Sequence, residues 1–178
     1  MRRWTLLGIL VITAGWGGWT LVQRHRDAVE HRREAAWLAA YQRASQAFYG
    51  GDYATAEKLF TNLLPEAEKY HPRDHYFAEL LSMLGTSYSL DHKREQAEVA
   101  LKRALQVYAA LSPSDILGTE RTEDNLAAVY LEREDYASAE QHFFEALSLS
   151  EKIPGVAVYD RGNILLNLGF IHMVQGVM

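Results

Sequence analysis

The chain has 178 residues and a formal net charge of -5, a size that favours one folded domain with a short appendage. The negative balance argues against nucleic acid as a partner, because phosphate binding needs a surface stripe of Lys and Arg. The sequence contains no Cys, which excludes disulfides, thiol catalysis and thiolate metal sites.

An uncharged segment near the N-terminus is the first feature along the chain. Residues 4–22 read WTLLGILVITAGWGGWTLV, a run of 19 residues without a charge. As a helix this run would be about 28 Å long, close to the hydrocarbon thickness of a bilayer. Trp4 and Trp19 lie near its ends, where indole side chains favour the membrane interface. No small-x-small cleavage site follows, so we expect residues 1–22 to form a retained transmembrane signal-anchor helix.

Small residues and flanking charges bear on how this anchor sits in the membrane. Thr13 with Gly17, and Ala14 with Gly18, are spaced so that another membrane helix can approach closely, although Gly is common in membrane helices in general. Arg residues flank both ends of the segment, and counting them favours a cytoplasmic domain. The short Arg-Arg tail is instead typical of a bacterial signal anchor that exports its domain. We predict a single-pass protein of a bacterial inner membrane with its domain in the periplasm, and a cytoplasmic domain is the alternative.

Residues 23–36 form the next segment, which is polar and lacks both Gly and Pro. Arg26 and Glu30 are spaced for an ion pair across one helical turn. The segment therefore predicts a helical juxtamembrane linker that continues into the following domain. A frayed linker is the alternative.

An internal repeat of about 42 residues organises residues 37–178. Small and large apolar residues recur in one order, first as Leu126, Ala127, Tyr130, Ala139, Phe143 and Ala146, and 42 residues upstream as Leu84, Gly85, Tyr88, Ala97, Leu101 and Ala104. Ala56 and Phe60 belong to an earlier copy, and Leu168 with Gly169 begins a later one. The small residues let paired helices approach closely, but a single hairpin cannot bury its own apolar face. Copies must therefore stack into an all-α solenoid.

The repeat resembles the tetratricopeptide repeat (TPR) family. The likeness is carried by the turns Gly51-Asp52-Tyr53 and Glu134-Asp135-Tyr136, followed by the small residues Ala56 and Ala139. The period exceeds the family's basic length of about 34 residues and is similar to the long-helix variety of kinesin light chains. The resemblance implies a TPR-type helical-hairpin solenoid of about three and a half repeats, placed behind one N-terminal transmembrane helix.

The fourth repeat stops after its first helix, which would leave Leu165, Leu168 and Ile171 partly uncovered. Exposed apolar area costs about 25 cal/mol per Å². We therefore expect the natural protein to continue beyond Met178, and a partner that covers this face is the alternative.

No pattern in the chain supports catalysis. It has no glycine-rich loop between a strand and a helix, and no nucleophile elbow. His71 and His75 are four residues apart, but Pro72 lies between them in a loop. We therefore predict that the protein is not an enzyme and has no metal site, no cofactor and no small-molecule substrate.

The resemblance also implies a binding groove lined by the first helices of successive repeats. The family's groove positions fall on Leu38, Tyr41, Ser45, Phe48, Tyr49, Glu79, Ser82, Thr86, Arg121, Asp124, Leu131, Asn163, Leu166 and Phe170. Relatives that clamp a terminal carboxylate use Lys and Asn, whereas Ser45, Thr86 and Ala128 stand where a clamp Asn would be. An apolar segment or a partner helix is therefore the expected ligand. The alternative is that Tyr41 and Phe48 pack against the solenoid itself.

Together these features favour a membrane-anchored scaffold that contacts the bilayer through residues 4–22 and binds protein partners. Because of the anchor, we expect those partners to be membrane proteins. In this role it acts as an assembly or quality-control factor for membrane or envelope proteins. The alternative is a permanent accessory subunit of a larger integral membrane complex. The aromatic groove residues favour the first role, whereas the Ala14/Gly18 edge and the uncovered last helix favour the second.

Overall fold

The computed structural model describes the backbone of residues 2–111, 115–153 and 158–176, and the side chains of residues 19, 22–111, 115–153 and 161–176. These residues form helices and no strands, which confirms the predicted all-α class. The helices are α1 (Arg2–Tyr49), α2 (Tyr53–Tyr70), α3 (His75–Leu90), α4 (Arg94–Ala109), α5 (Ile116–Glu132), α6 (Tyr136–Ser150) and α7 (Val158–Gln175).

The chain divides into two compact units, residues 1–40 and 41–178. In the first unit, the predicted linker at 23–36 is helical throughout. Among the residues that the structure describes, no helix includes a stretch long and apolar enough to cross a membrane. The packing residues predicted for the anchor, Thr13, Ala14, Gly17 and Gly18, lie outside the described side chains, so their role stays a prediction.

The second unit is a stack of helical hairpins. Helix α3 packs against α4 and α5 against α6, while contacts of α2 with α3, α4 with α5, and α6 with α7 join successive hairpins. Residues 41–49 of α1 serve as the first helix of the first hairpin, and the rings of Tyr41 and Phe60 lie 6.2 Å apart. The first helices α3 and α5 also contact each other. The unit is therefore a solenoid, as the repeat predicts.

Each first helix is followed within two residues by one residue in the left-handed region, and these residues recur every 41 or 42 positions. They are Gly51, His92, Glu134 and Gly176, with φ between 59° and 80°. In the first three turns, the third residue after the helix donates a backbone hydrogen bond five residues back, as in Asp135 N to Tyr130 O at 3.0 Å. This is a Schellman ending, which satisfies carbonyl groups at the C-terminus of each first helix. Turn geometry therefore repeats even where the turn sequence does not.

The predicted small residues lie where helices cross. Ala56, Ala97 and Ala139 are fully buried. A Cβ atom added to Gly85 would lie 2.6 Å from Leu101 Cγ, so the backbone of α3 needs a glycine to meet α4 at this distance. The predicted packing role of these positions is confirmed.

Glu98 connects the second and third hairpins. Its carboxylate accepts hydrogen bonds from Lys102 Nζ at 2.6 Å and Tyr130 Oη at 2.8 Å, and it also pairs with the Arg133 guanidinium. The Lys102 ammonium is the main cause of a lowered pKa at Glu98, and Tyr130 and Arg133 add to it. The carboxylate is therefore held in its charged form in the folded protein.

We expect Glu98→Gln to lower the free energy of unfolding by about 1–2 kcal/mol near pH 7. Since the folded pKa of Glu98 lies below the unfolded value, its contribution is complete above the unfolded pKa and is lost as the pH falls through the folded pKa. The difference between variant and parent should therefore shrink towards zero in acid. Urea titrations at neutral pH and near pH 3 measure it. The exposed Glu145→Gln on α6 serves as the control, and an equal difference at both pH values would contradict this assignment.

Candidate protein-binding groove

Three adjoining pockets form one groove along the first helices of the second unit. The first pocket, of about 810 Å³, and the second, of about 430 Å³, share Tyr49 and Glu79. The third pocket, of about 250 Å³, continues from the second and reaches Asn163 on α7. The second and third pockets share Phe48, Thr86, Arg121 and Asn125. A continuous surface thus extends over four successive first helices.

Side-chain hydrogen bonds fix the register of α3 against α5 beneath this surface. The hydroxyls of Ser82 and Thr122 lie 2.8 Å apart, and both residues are buried. One turn further along, Asn125 Nδ2 donates to Thr86 Oγ1 at 2.9 Å. Ser82 therefore joins the two helices with its hydroxyl, although it borders the second pocket.

A cluster of ionisable groups lies where the N-terminal ends of α3 and α5 meet. Glu79 accepts a short hydrogen bond from Tyr41 Oη and lies 3.7 Å from His75 Nε2. The other ring nitrogen of His75, Nδ1, lies 2.9 Å from Asp115 Oδ2. Asp115 is also the N-cap of α5, where its Oδ1 accepts from Gly118 N at 2.9 Å. Helix capping thus places a carboxylate at the edge of the groove.

Tyr108, from the return helix α4, forms part of the groove's floor. Its ring is 2% exposed and lies 6.3 Å from the His75 ring. A Cβ atom on Gly118 would lie 2.6 Å from two ring atoms and the hydroxyl oxygen of Tyr108, so only a glycine in α5 leaves room for this side chain. The tyrosine therefore reaches the groove because α5 lacks a side chain at this point.

The two phenols of the groove experience the negative charge of the neighbouring carboxylates. Burial raises the pKa of Tyr41 well above its usual value, and Glu79 raises it further by its hydrogen bond and its charge. Burial also raises the pKa of Tyr108, with the charges of Asp115 and Glu79 acting in the same direction. Both phenols are therefore uncharged at physiological pH.

The residues predicted for the groove fall into several environments. Tyr41 is 5% exposed and packs edge-on against Tyr76, with its ring centroid 5.3 Å away. Phe48 is half-buried, whereas Tyr49 is 68% exposed. The other predicted residues that border the pockets are Ser45, Glu79, Ser82, Thr86, Arg121, Asp124 and Asn163.

Four predicted residues lie elsewhere. Leu38 belongs to the N-terminal unit, and Leu131 packs against the buried cluster of the last hairpins. Leu166 and Phe170 are exposed on α7 and border none of the three pockets. The prediction also omitted several lining residues, namely His75, Met83, Tyr108, Asp115, Leu117 and Asn125.

The geometry of the acidic cluster does not suit a metal ion. Glu79 and Asp115 lie on opposite ring nitrogens of His75, so the three groups do not converge on one point. His71 Nδ1 instead lies 3.3 Å from Asp74 Oδ2. Within residues 22–111, 115–153 and 161–176, no group of three or more His, Asp or Glu side chains is placed to hold an ion.

Comparisons with known proteins agree with this architecture. Residues 124–155 match the tetratricopeptide repeat family model. The chain is similar to BtubC (BKLC) from P. vanneervenii, with a TM-score of 0.69 and 18% identity over 77% of this chain and 55% of that one. It is also similar to the TPR-like repeats of a kinesin light chain candidate from Podosopora anserina, with a TM-score of 0.63 and 13% identity over 78% of this chain and 66% of that one.

These likenesses confirm the TPR-type fold with kinesin-light-chain-like repeats. At such low sequence identity, they bear on the fold alone. The chain spans 55% and 66% of the lengths of the two solved chains, which is less than two thirds of either. No curated protein matches the sequence significantly.

Proposed function

Because the chain carries TPR-type repeats, we propose that it is a membrane-anchored scaffold for assembly or quality control of membrane or envelope proteins. It binds segments of those proteins in the groove along α1, α3, α5 and α7. The continuity of the three pockets carries the proposal, because an extended segment needs one uninterrupted surface. TPR repeats generally mediate protein–protein contacts and are generally non-catalytic, which fits binding without chemistry.

Tyr49 is the aromatic side chain best placed to contact a bound segment. It is 68% exposed, borders the first two pockets, and is supported edge-on by Phe48, with 5.5 Å between ring centroids. Large aromatic side chains dominate many interfaces because they bury much area at low entropic cost. Tyr41 is unsuitable for mutation to Ala, since its buried ring supports the fold.

We expect Tyr49→Ala to weaken binding of partner segments by about tenfold or more, without changing helical content. Quantitative mass spectrometry of proteins that copurify from membranes in mild detergent measures the loss, and circular dichroism checks the fold. Phe144→Ala is the matched control, because Phe144 is 48% exposed on α6 and borders none of the three pockets. Equal recovery of partners with both variants would contradict a role for the groove.

The anchor part of the proposal rests on the uncharged run at residues 4–22. We place it in a bacterial inner membrane with the solenoid in the periplasm. Extraction of membranes with alkaline carbonate tests the anchor, and an alkaline phosphatase fusion to the C-terminus tests the orientation. Release by carbonate would rule out an integral anchor, and an inactive phosphatase would place the domain in the cytoplasm.

A second role, as a permanent accessory subunit, is favoured by the surface of α7. Leu165, Leu166, Phe170, Met173 and Val174 are each between 46% and 73% exposed on this helix. At Gly169, where the earlier repeats place a return helix, an added Cβ atom would meet nothing within 4 Å. A fixed set of membrane proteins recovered at constant ratio would favour this role, whereas many partners at variable ratio would favour the assembly factor.

A further inference from the structure

We propose that the groove selects segments that present a Lys or Arg side chain beside apolar residues. The inference rests on the proposed function of the groove and adds the chemistry of its ligand. It follows from the distribution of charge among the lining residues, from the positions of two carboxylates, and from the aromatic surface around them.

The lining of the groove is acidic. Among the described residues that border the three pockets, the carboxylates are Glu79, Asp115, Glu120 and Asp124, and the only Lys or Arg is Arg121. A carboxylate-rich concave surface with low-dielectric walls attracts cations and repels acidic segments. The groove therefore discriminates by charge before any contact forms.

Several carboxylates elsewhere on the second unit each pair with a Lys or Arg side chain. Glu57 pairs with Lys93 at 2.7 Å, Glu68 with Arg103 at 2.6 Å and Glu132 with Arg94 at 3.1 Å. Glu79 and Asp115 instead face the single imidazole of His75, whose side chain is 52% exposed. One imidazole cannot balance two carboxylates even when it is protonated. Negative charge thus remains at this point of the groove.

The two carboxylates border the same pocket, where an incoming cation can reach them. They flank His75 from α3 and from the start of α5, and both are only partly exposed, with side-chain exposures of 30% and 21%. Partial burial strengthens an ion pair relative to a fully solvated surface pair. A guanidinium or ammonium entering from solvent can pair with either carboxylate through charge-assisted hydrogen bonds, and the negative charge of the other carboxylate adds to the attraction.

Apolar and aromatic side chains border the pocket that contains Glu79 and Asp115. Tyr49, Met83, Tyr108 and Leu117 border the same pocket as Glu79 and Asp115. Aromatic faces attract cations and also cover the aliphatic stems of Lys and Arg. The pocket therefore suits a long cationic side chain with apolar neighbours better than a bare cation.

The first test displays random dodecapeptides on phage and selects them on the immobilised full-length chain in mild non-ionic detergent. Detergent micelles without protein serve to remove background binders. We expect the selected peptides to be enriched in Lys or Arg next to apolar residues. Selected peptides that carry no excess of positive charge would overturn this inference while leaving a binding groove in place.

The second test titrates the best selected peptide, labelled with fluorescein, against two charge-matched variants. Glu79→Gln with Asp115→Asn preserves the acceptor for Tyr41 and the N-cap of α5, and we expect it to weaken binding at least about tenfold. Glu132→Gln with Glu145→Gln removes the same charge outside the groove, and we expect less than about twofold change. Replacing the peptide's Arg by neutral citrulline, or its Lys by norleucine, should give a loss similar to that of the groove variant.

The outcomes distinguish failure of the cation selectivity from failure of the groove as a protein-binding site. Equal affinity of the groove variant, the control variant and the parent would overturn selection of a cation by Glu79 and Asp115. Selection of no peptide at all, or binding that Tyr49→Ala leaves unchanged, would overturn the groove as a protein-binding site. Affinity that falls with added salt in the parent but much less in the groove variant would support the inference, because salt screens this attraction.

Discussion

Replacing Phe143 with Ala is expected to lower the free energy of unfolding by about 3–5 kcal/mol. The Phe143 side chain is fully buried and belongs to a cluster drawn from α4, α5, α6 and α7, whose other members include Leu101, Leu126, Val129, Ile164, Leu168 and Ile171. Removing the ring takes away contacts with several helices at once. Because those helices are held by further contacts with one another, they can close the resulting cavity only in part.

The neighbouring residue provides a matched control for this change. Phe144 follows Phe143 in the same helix but is 48% exposed. We expect Phe144→Ala to change the free energy of unfolding by less than about 1 kcal/mol. Urea unfolding followed by circular dichroism measures both variants, with the midpoint and slope compared to the parent. Similar losses in the two variants would contradict the assignment of Phe143 to the core of the repeat.

The periodic part of the fold was predictable because it depends on residue size at fixed spacing. Ala97 and Ala139 recur 42 residues apart, both are fully buried, and each is the fourth residue of a return helix. Leu101 and Phe143 differ in shape but fill equivalent gaps in successive repeats, because close packing restricts the volume of a side chain more than its type. A pattern of small and large residues therefore predicts helix pairing without predicting what the helices bind.

The turns include left-handed backbone conformations that residue type alone does not predict. Gly51 indicates a left-handed residue by its type, whereas His92 and Glu134 adopt the same conformation with ordinary side chains. Their conformation follows from the Schellman hydrogen bonds that close α3 and α5. Position within the repeat, and not residue type, determines backbone geometry at these two places.

The groove was predictable only where first helices supply its lining. Tyr108 belongs to a return helix and reaches the groove through space left at Gly118, a relation between residues that no helical spacing reveals. His75 and Asp115 lie at helix ends, where a capping role is the simpler prediction. Their meeting depends on how α3 and α5 stack, so the acidic cluster emerges only in three dimensions.

Gly85→Val is expected to lower the free energy of unfolding by about 2–3 kcal/mol. A Cβ atom at this position would lie 2.6 Å from Leu101 Cγ and 3.2 Å from Leu101 N. The side chain of Leu101 can shift to some extent, but its backbone nitrogen moves only if α4 moves away from α3. Because Leu101 also belongs to the buried cluster, that movement disturbs packing in the next hairpin.

Gly169→Val is the control, since Gly169 holds the same repeat position in α7 and has nothing within 4 Å of an added Cβ atom. We expect this variant to be neutral or slightly stabilising, because Val has a higher helix propensity than Gly. Urea unfolding of both variants separates two effects on stability. The change in helix propensity acts at both sites, whereas the close contact between α3 and α4 acts only at Gly85. Equal effects would show that α3 and α4 do not cross closely at Gly85, and a large loss at Gly169 alone would show that α7 is covered in solution.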